Sequence, residues 1–390
     1  MLDLLKFGHY KELQEARIRE SRLTCSAALI SVNHRIVYEN YAGTTDFPER
    51  KTPLDKSSVF RLCSMTKPVT ATAIMTLVEQ GRLDLDERAD TYYPSFSKMR
   101  VAVIQDGKIV SSVPAERPIL IRDLLTHTNG LGTGVSGALD REQRVKENRG
   151  LHSLEEAAQY WGQTLLEFQP ETAFGYSGCA GFDVLAGILQ KITDSPFEDY
   201  LKKYIFDPLG MTHTSHYLTK EDQKKILPMF GYDANKKTLY PAEDGMSLFT
   251  YYPDSFRPDV YPGGGTGLFG TIGDYYVFAE MLLGYGTYRD VRILKESTVR
   301  SMIRPALPVS FFGNDIGNWG LSFYLRTNLS EQWQHLPIGS FGWSGAYGTH
   351  FFVCPSENMT GLFFSNLLNA GGSSAETIPE LEKAIEASLV

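Results

Sequence analysis

The chain has 390 residues, which is enough for one large core or for two lobes that share an interface. Hydrophobic residues make up 42% of it and charged residues 22%, a composition ordinary for a soluble globular protein. The net charge of −8 argues against a nucleic-acid partner, because a phosphate-binding surface needs a basic face.

The first twenty residues interleave acids and bases and contain no long apolar run, so they predict neither a signal peptide nor a membrane anchor. We therefore expect a cytoplasmic protein with no membrane partner. The same stretch predicts an amphipathic helix, whose apolar positions are Leu4, Leu5, Leu13 and Ile18.

The spacing of the four cysteines fits neither a metal motif nor a disulfide scaffold. Without an export signal, reduced and buried thiols are expected. These residues are Cys25, Cys63, Cys179 and Cys354.

Residues 25–43 predict a β-hairpin that turns at Asn33-His34. A helix is predicted over 67–80, because Val69, Ala73 and Leu77 repeat at helical spacing, and Gly81 is its natural end.

The middle of the chain, about 85–250, mixes helical patterns with Pro- and Gly-rich loops. A second hairpin is predicted around Asp106-Gly107, with strands at 101–104 and 109–113. Three helices are predicted, the last ending before Pro208; their sequences are LEEAAQYWGQTLLEF, GFDVLAGILQKIT and DYLKKYIFDPLGM.

After residue 263 a glycine-rich run, GGGTGLFGT, precedes the predicted helix DYYVFAEMLLGYG. Four strand-like runs and a closing helix follow, at 319–324, 340–343, 350–354, 361–365 and TIPELEKAIEASL.

Strands at both ends and helices in the middle predict an α/β fold of the α+β type. We expect one antiparallel sheet built from both termini and flanked by helices, with a mainly helical lobe inserted. The expected boundaries are 1–84 and 260–390 for the sheet lobe and 85–259 for the helical lobe, as one catalytic unit.

The first chemical candidate is Ser64-Met65-Thr66-Lys67, a Ser-x-x-Lys motif at the start of the predicted helix. Residues three apart lie on one helix face, so Lys67 can reach the Ser64 hydroxyl. An apolar setting and the positive end of the helix dipole both favour the uncharged amine, which can take the serine proton. A helix cap beside a solvated lysine is the alternative. Ser95 to Lys98 has the same spacing but no helical pattern after it.

The second candidate is Tyr176 in GYSGCAGF, in a tight glycine turn before a helix. A serine–lysine pair needs a group that passes a proton to the leaving group, and a tyrosine near cations can do so. With 21 tyrosines in the chain, packing is the alternative role.

The third candidate is Trp343-Ser344-Gly345-Ala346, which is typical of a strand edge where the backbone approaches a substrate closely. The Ser64 N–H and an N–H of this strand would form an oxyanion hole. A glycine-rich hairpin without function is the alternative.

Other motifs predict no function. Gly265–Gly270 matches a dinucleotide fingerprint, but no strand precedes it. His213 and His216 lack the spacing of a zinc helix. Cys63 has no identifiable histidine partner, and His127 is interpreted as a structural turn residue. No metal or organic cofactor is implied.

Together these positions resemble one family, the β-lactamase-related serine hydrolases, close to class C β-lactamases, penicillin-binding proteins and the family VIII esterases. The resemblance runs from about residue 25 to 370 and implies the same fold. The segment after the nucleophile helix, EQGRLDLDE, is similar to that of the family. Further blocks similar to the family occur in the same order: LLTHTNGL, YSGCAGFDVLAGIL, IFDPLGMTHT, GGGTGLFGTIGDY and GWSGAYGTHFFV.

The resemblance implies Ser64 as nucleophile, Lys67 as base, Tyr176 as the tyrosine of the second motif, and the Ser64 and Ala346 N–H groups as oxyanion donors. Two positions depart from the pattern of the β-lactam-hydrolysing members. The second motif lacks its asparagine and has Gly178 instead, and the lysine of the third motif is replaced by Trp343. Tryptophan cannot replace a cation in binding a carboxylate.

We therefore expect a small-molecule ester, or an amide, as substrate, hydrolysed through an acyl-enzyme on Ser64. Trp343, Ser344 and Gly345 are the expected substrate-binding residues. The alternatives are a β-lactamase or D-amino-acid amidase or peptidase, an acyltransferase, and an inactive binding protein on the same fold. The oligomeric state stays open.

Overall fold

The computed structural model describes residues 7–146, 151–242, 261–312, 318–330, 333–368 and 377–389, with Ala370 and Gly372. Leu4 and Leu5 of the predicted first helix, and the predicted lobe boundary at 259/260, lie outside the described residues. All four cysteines lie inside them; each is buried, and none forms a disulfide.

The main sheet has seven strands, and each neighbouring pair runs antiparallel. Two strands come from the N-terminal hairpin and five from the C-terminal part, so both ends of the chain build it, as the strand distribution predicted. Their order is β12-β13-β14-β15-β16-β1-β2, with β1 (Cys25–Val32), β2 (Arg35–Gly43), β12 (Asn318–Trp319), β13 (Tyr324–Leu325), β14 (Phe341–Gly345), β15 (Thr349–Cys354) and β16 (Met359–Ser365).

Shorter strands pair outside the main sheet. They are β3 (Phe60–Arg61) with β9 (Phe269–Gly270), β4 (Arg100–Gln105) with β5 (Lys108–Pro114) and β6 (Leu165–Leu166), β7 (Phe230–Asp233) with β8 (Thr238–Pro241), and β10 (Thr287–Tyr288) with β11 (Val291–Arg292).

Helices cover both faces of the main sheet and fill the middle of the chain. They are α1 (Phe7–Arg19), α2 (Thr66–Glu79), α3 (Ile121–Thr126), α4 (Gly134–Lys146), α5 (Leu154–Trp161), α6 (Ala180–Thr193), α7 (Phe197–Leu201), α8 (Asp207–Leu209), α9 (Lys220–Gln223), α10 (Ile272–Leu283), α11 (Glu296–Met302) and α12 (Thr377–Ser388).

Alternation along the strands separates two apolar layers. Ala28 and Ile30 of β1 face the layer that α1 and α12 close, whereas Ala27 and Leu29 face the larger core shared with α2 and α10. Helix α2 also contacts α6 of the middle region. The start of α2 therefore lies where the sheet meets the helices of the middle region.

Three helix predictions need correction. In the first helix, Tyr10 and Gln14 are buried while Leu13 and Ile18 are only half-buried, because this face packs on polar strand groups such as Ser26. The predicted helix over LEEAAQYWGQTLLEF ends at Trp161, and its last part forms β6, which pairs with β4.

The chain is also helical beyond Pro208: a π-turn over Lys202–Phe206 is followed by α8. Proline fits there because it occupies the first turn, where its missing N–H is not needed. The predicted strand over 319–324 is split into β12 and β13, which fold back on each other. Among the described residues, no helix combines the length and apolarity required to cross a membrane.

Candidate active site

Ser64 lies in a short 3₁₀ turn, Cys63–Met65, between β3 and α2. Cys63 is buried with φ of 49°, a left-handed conformation uncommon outside glycine. The turn is held on two sides: the Leu62 N–H donates to Leu268 O at 2.9 Å, and the Thr349 hydroxyl donates to Leu62 O at 3.2 Å. Ser64 itself stays partly exposed, as a residue that meets a substrate must be.

The Lys67 side chain is fully buried and its amine has three partners. It donates to Ser64 Oγ at 3.1 Å and to the carbonyl oxygens of Gly178 and Gly265, each at 2.7 Å. Among the described residues no carboxylate contacts this amine. The motif left open the alternative of a solvated lysine, which is wrong because the Lys67 side chain is fully buried.

The segment that supplies Gly265 O is the glycine run of the sequence. A Cβ at Gly264 would lie 2.1 Å from Phe182 O, so only glycine permits this close approach to α6. The glycine run therefore forms part of the site. Its match to a dinucleotide fingerprint had predicted no function.

Asp183 is buried in α6 behind this segment. Its carboxylate accepts hydrogen bonds from the Gly265 N–H at 3.1 Å and the Tyr261 hydroxyl at 3.0 Å. Burial raises the pKa of Asp183 to about 6, while these two bonds and the charge of Lys67 oppose the rise. The Asp183 carboxyl and the Lys67 amine thus bind the same residue, Gly265: the carboxyl binds its N–H and the amine binds its carbonyl oxygen.

Tyr176 lies beside the amine: Lys67 Nζ is 5.0 Å from the centre of its ring. The Trp343 indole N–H donates to the Tyr176 hydroxyl at 3.1 Å. The structure therefore brings Ser64, Lys67, Tyr176 and Trp343 together, although they are far apart in the sequence.

His127 supports Tyr176 from behind. Its backbone oxygen accepts from the Gly175 N–H at 2.9 Å, its Nδ1 accepts from the Ser177 N–H at 3.3 Å, and its ring lies 4.5 Å from that of Tyr176. Burial and the charge of Lys67 hold the pKa of His127 well below its usual range, so the ring is neutral and Nδ1 can accept. Both neighbours of Tyr176 are thus bonded to one histidine.

Strand β14 passes beside the turn that holds Ser64. A Cβ on Gly345 would lie 2.4 Å from Leu62 O and 2.1 Å from Thr349 Oγ1, so glycine is required for this contact. Ala346 begins the turn after β14 and packs with the apolar cluster that contains Cys63.

Ser344 points away from Trp343, as alternation along a strand requires. Its side chain is buried, and its hydroxyl shares a hydrogen bond of 2.8 Å with His350 Nδ1. Burial lowers the pKa of His350 to about 3, so this partner is neutral. The hydroxyl of Ser344 therefore faces the protein interior.

An aromatic wall lines the site. Trp343 packs edge-on against Trp319 with ring centres 4.6 Å apart, and Trp319 in turn contacts Phe174 at 5.7 Å and Tyr176 at 6.2 Å. Trp319 is buried, whereas the other three rings are half-buried. The wall, formed by Phe174, Tyr176, Trp319 and Trp343, offers apolar surface to a ligand.

The second Ser-x-x-Lys match has none of this setting. Ser95 lies in a 3₁₀ turn, Pro94–Lys98, and its hydroxyl has no hydrogen-bond partner in the described part of the chain. The described residues also contain no group of three or more His, Cys, Asp or Glu side chains suited to a metal ion.

Sequence reasoning missed the carbonyls of Gly178 and Gly265, the carboxylate of Asp183 and the position of His127. A backbone carbonyl that serves as an acceptor cannot be recognised from the identity of its residue. Asp183 carried a signal, because an acid within the apolar helix GFDVLAGIL is unusual unless it has buried partners.

Comparison with known proteins identifies the class. A family model described as Beta-lactamase matches residues 11–384. The Mycobacterium tuberculosis protein Rv1367c is 33% identical over 376 residues, which cover 90% of this chain and 88% of that protein. Esterase EstB of Burkholderia gladioli is 27% identical over 380 residues, covering 93% and 90%.

Among solved structures, EstCE1, described as a hydrolase with promiscuous acyltransferase activity, matches with a TM-score of 0.79 and 25% identity over 98% of both chains. The chain belongs to the Beta-lactamase family. It is a serine hydrolase of that superfamily, which confirms the family resemblance and the fold class predicted from the sequence.

Proposed function

We propose that this enzyme hydrolyses neutral carboxylic esters through an acyl-enzyme on Ser64. The observation that carries the proposal is the arrangement of three acceptors around Lys67. As an ammonium, Lys67 has three hydrogens, one for each acceptor. As an amine, it keeps two for the carbonyls and turns its lone pair to the Ser64 hydroxyl, so both protonation states needed for a general base are accommodated.

In acylation, the Ser64 proton moves to Lys67 as Ser64 Oγ bonds to the ester carbonyl carbon. The negative charge that develops on the carbonyl oxygen is stabilised by the backbone N–H groups of Ser64 and Ala346. The bond to the leaving alkoxide then breaks; Tyr176 gives its proton to the alkoxide and takes up the proton that Lys67 holds, so both groups return to their starting states. In deacylation, water attacks the acyl carbonyl carbon and gives a proton to Lys67, the bond to Ser64 Oγ breaks, and Ser64 takes the proton back as the acid leaves.

The contacts of Trp343 support an ester rather than an anionic substrate. The indole bonds Tyr176 and carries no charge, so it attracts no substrate carboxylate. The aromatic wall favours an apolar acyl or alcohol group. The esterase name of the relative from Burkholderia gladioli points the same way.

The test compares Ser64→Ala with the intact enzyme on a chromogenic short-chain ester, a chromogenic cephalosporin and a fluorophosphonate label. We expect the ester to be the better substrate, and Ser64→Ala to lose roughly a thousandfold or more in rate and to lose all labelling. Ser95→Ala is the control at the second Ser-x-x-Lys match, and it should leave the rate of ester hydrolysis and the fluorophosphonate labelling unchanged.

Ester turnover that survives Ser64→Ala, or labelling at Ser95, would refute the assignment. Faster turnover of the cephalosporin than of any ester would support the β-lactamase alternative. Formation of a new ester when a second alcohol is added would instead identify an acyltransferase.

A further inference from the structure

A buried histidine and a buried glutamate lie behind the glycine run. His216 follows α8 and is buried; its Nδ1 is 2.5 Å from Glu198 Oε2, and its Nε2 is 3.0 Å from Gly263 O. Glu198 Oε1 also accepts from the Ser215 hydroxyl at 2.5 Å and from the His216 N–H at 3.1 Å. In the part of the chain that the structure describes, no hydrogen bond joins any of these residues to Ser64.

Both ring nitrogens of His216 lie within hydrogen-bond distance of an acceptor. Its two partners, a carboxylate and a carbonyl oxygen, are both acceptors, so each contact is satisfied only when both nitrogens carry hydrogen. Burial acts to raise the pKa of Glu198, but the charge and hydrogen bonds of His216 and the bond from Ser215 outweigh it and keep that pKa below its usual value. Glu198 is therefore ionised, and its carboxylate holds His216 Nδ1 while Nε2 faces Gly263 O.

Three successive carbonyls of the glycine run are each held by a different side chain. His216 donates to Gly263 O at 3.0 Å. The Thr70 hydroxyl donates to Gly264 O at 2.7 Å. Lys67 donates to Gly265 O at 2.7 Å.

A run of glycines has no side chains of its own to fix its conformation, and its backbone freedom is large. The bonds at the Gly263 and Gly264 carbonyls therefore act together with packing on α6 and with the Asp183 bond to the Gly265 N–H to set where the Gly265 carbonyl points.

We propose that His216, held by Glu198, is a positioning residue for the general base: it fixes the Gly263 carbonyl and thereby helps to fix the Gly265 carbonyl that orients Lys67. The inference depends on the proposed role of Lys67. It predicts that removing a side chain remote from the substrate slows the chemical step and leaves substrate affinity almost unchanged.

The experiment measures kcat and KM on the chromogenic ester, with active sites counted by fluorophosphonate titration, in His216→Leu and His216→Gln. Leucine cannot donate to Gly263 O, whereas the amide of glutamine can. We expect kcat per titrated site to fall about a hundredfold in His216→Leu with little change in KM, and to be largely retained in His216→Gln. Thr70→Val, which releases the next carbonyl, should also lower kcat.

His213→Leu is the matched control. His213 also bonds a carboxylate, with its Nδ1 3.0 Å from Asp222 Oδ1, but its partly exposed ring forms no hydrogen bond to the glycine run among the described residues. We expect an unchanged kcat in this variant.

A purely structural role for His216 would lower the melting temperature and the titratable fraction but leave kcat per titrated site as in the intact enzyme; that result would overturn the inference. Equal losses in His216→Leu and His216→Gln would overturn it too. If His216→Leu does not fold, the kcat per titrated site of Thr70→Val decides, and a value equal to that of the intact enzyme would overturn the inference. Activity that survives Ser64→Ala refutes the proposed function, whereas a dead Ser64→Ala beside a fully active His216→Leu refutes this inference alone.

Discussion

The Trp343 indole donates a hydrogen bond of 3.1 Å to the hydroxyl of Tyr176. Because the Tyr176 oxygen is the acceptor here, its own proton remains available for another acceptor. The same N–H stabilises negative charge on that oxygen when the proton leaves. In the proposed mechanism, a neutral side chain would thus support proton transfer at Tyr176 without adding positive charge to the site.

Trp343→Phe should lower kcat about tenfold with a smaller change in KM. Phenylalanine keeps an aromatic ring against Trp319 but loses the donor, and a hydrogen bond to a charged oxygen contributes about 1.5 kcal/mol or more. Steady-state kinetics on the chromogenic ester measure this effect.

Trp319→Phe is the control, since its indole donates instead to Leu125 O at 3.2 Å. Trp319→Phe should lower the melting temperature and leave kcat nearly unchanged. If Trp343→Phe raises KM and leaves kcat intact, Trp343 acts on substrate binding and not through Tyr176.

The double change Gly178→Asn with Trp343→Lys should shift preference toward substrates that carry a carboxylate and an acylamino group. A Cβ at Gly178 would meet no atom within 4 Å, so the asparagine amide has room. Lysine would supply the missing cation.

The measurement is the ratio of kcat/KM for a chromogenic cephalosporin to that for the ester, with Gly178→Ala as the control that fills the position without an amide. An unchanged ratio would contradict the role assigned to these two positions.

Much of the fold followed from patterns of the sequence. Strand alternation at both termini predicted the main sheet, and helical spacing placed α2 directly after Ser64. Ser64 and Lys67 were brought together by local geometry, since residues three apart share a helix face.

What the sequence did not reveal depends on long-range contacts. The Gly178 and Gly265 carbonyls lie 111 and 198 residues from Lys67 along the chain. Their direction is set by packing of α6 and the glycine run, which no local pattern encodes. His127 was interpreted as a turn residue, and its φ of 58° agrees, but its bonds to both neighbours of Tyr176 required the structure.

His127→Leu should lower kcat per titrated site, whereas His127→Asn should retain most of it. Asparagine tolerates the left-handed backbone at this position and offers an oxygen acceptor near the place of Nδ1; leucine does neither. Fluorophosphonate titration separates misfolded from slow enzyme. Equal kcat in the two variants, once normalised to titrated sites, would show that the bond to the Ser177 N–H does not position Tyr176.

Asp183→Asn should change how stability depends on pH. The pKa of Asp183 is raised by burial to about 6, from an ordinary value of 3.8. Below the ordinary value the carboxyl is protonated in both the folded and the unfolded chain and carries no penalty. Between its ordinary value and about pH 6 the carboxyl ionises in the unfolded chain but stays protonated in the fold, so stability falls, and above about pH 6 the full cost of about 3 kcal/mol is present.

Asparagine keeps the size of the side chain but does not titrate. The melting temperature of Asp183→Asn relative to the intact enzyme should therefore rise between pH 4.5 and pH 7.5, with the change concentrated below about pH 6. Asp46→Asn is the control, because Asp46 is a half-buried acid whose pKa is lowered from 3.8 by backbone hydrogen bonds, so its substitution should lower the melting temperature by an amount that is flat across this range. A melting-temperature difference for Asp183→Asn that is flat across this range would mean that Asp183 is ionised in the fold as readily as in water, and that the charge of Lys67 fully compensates its burial.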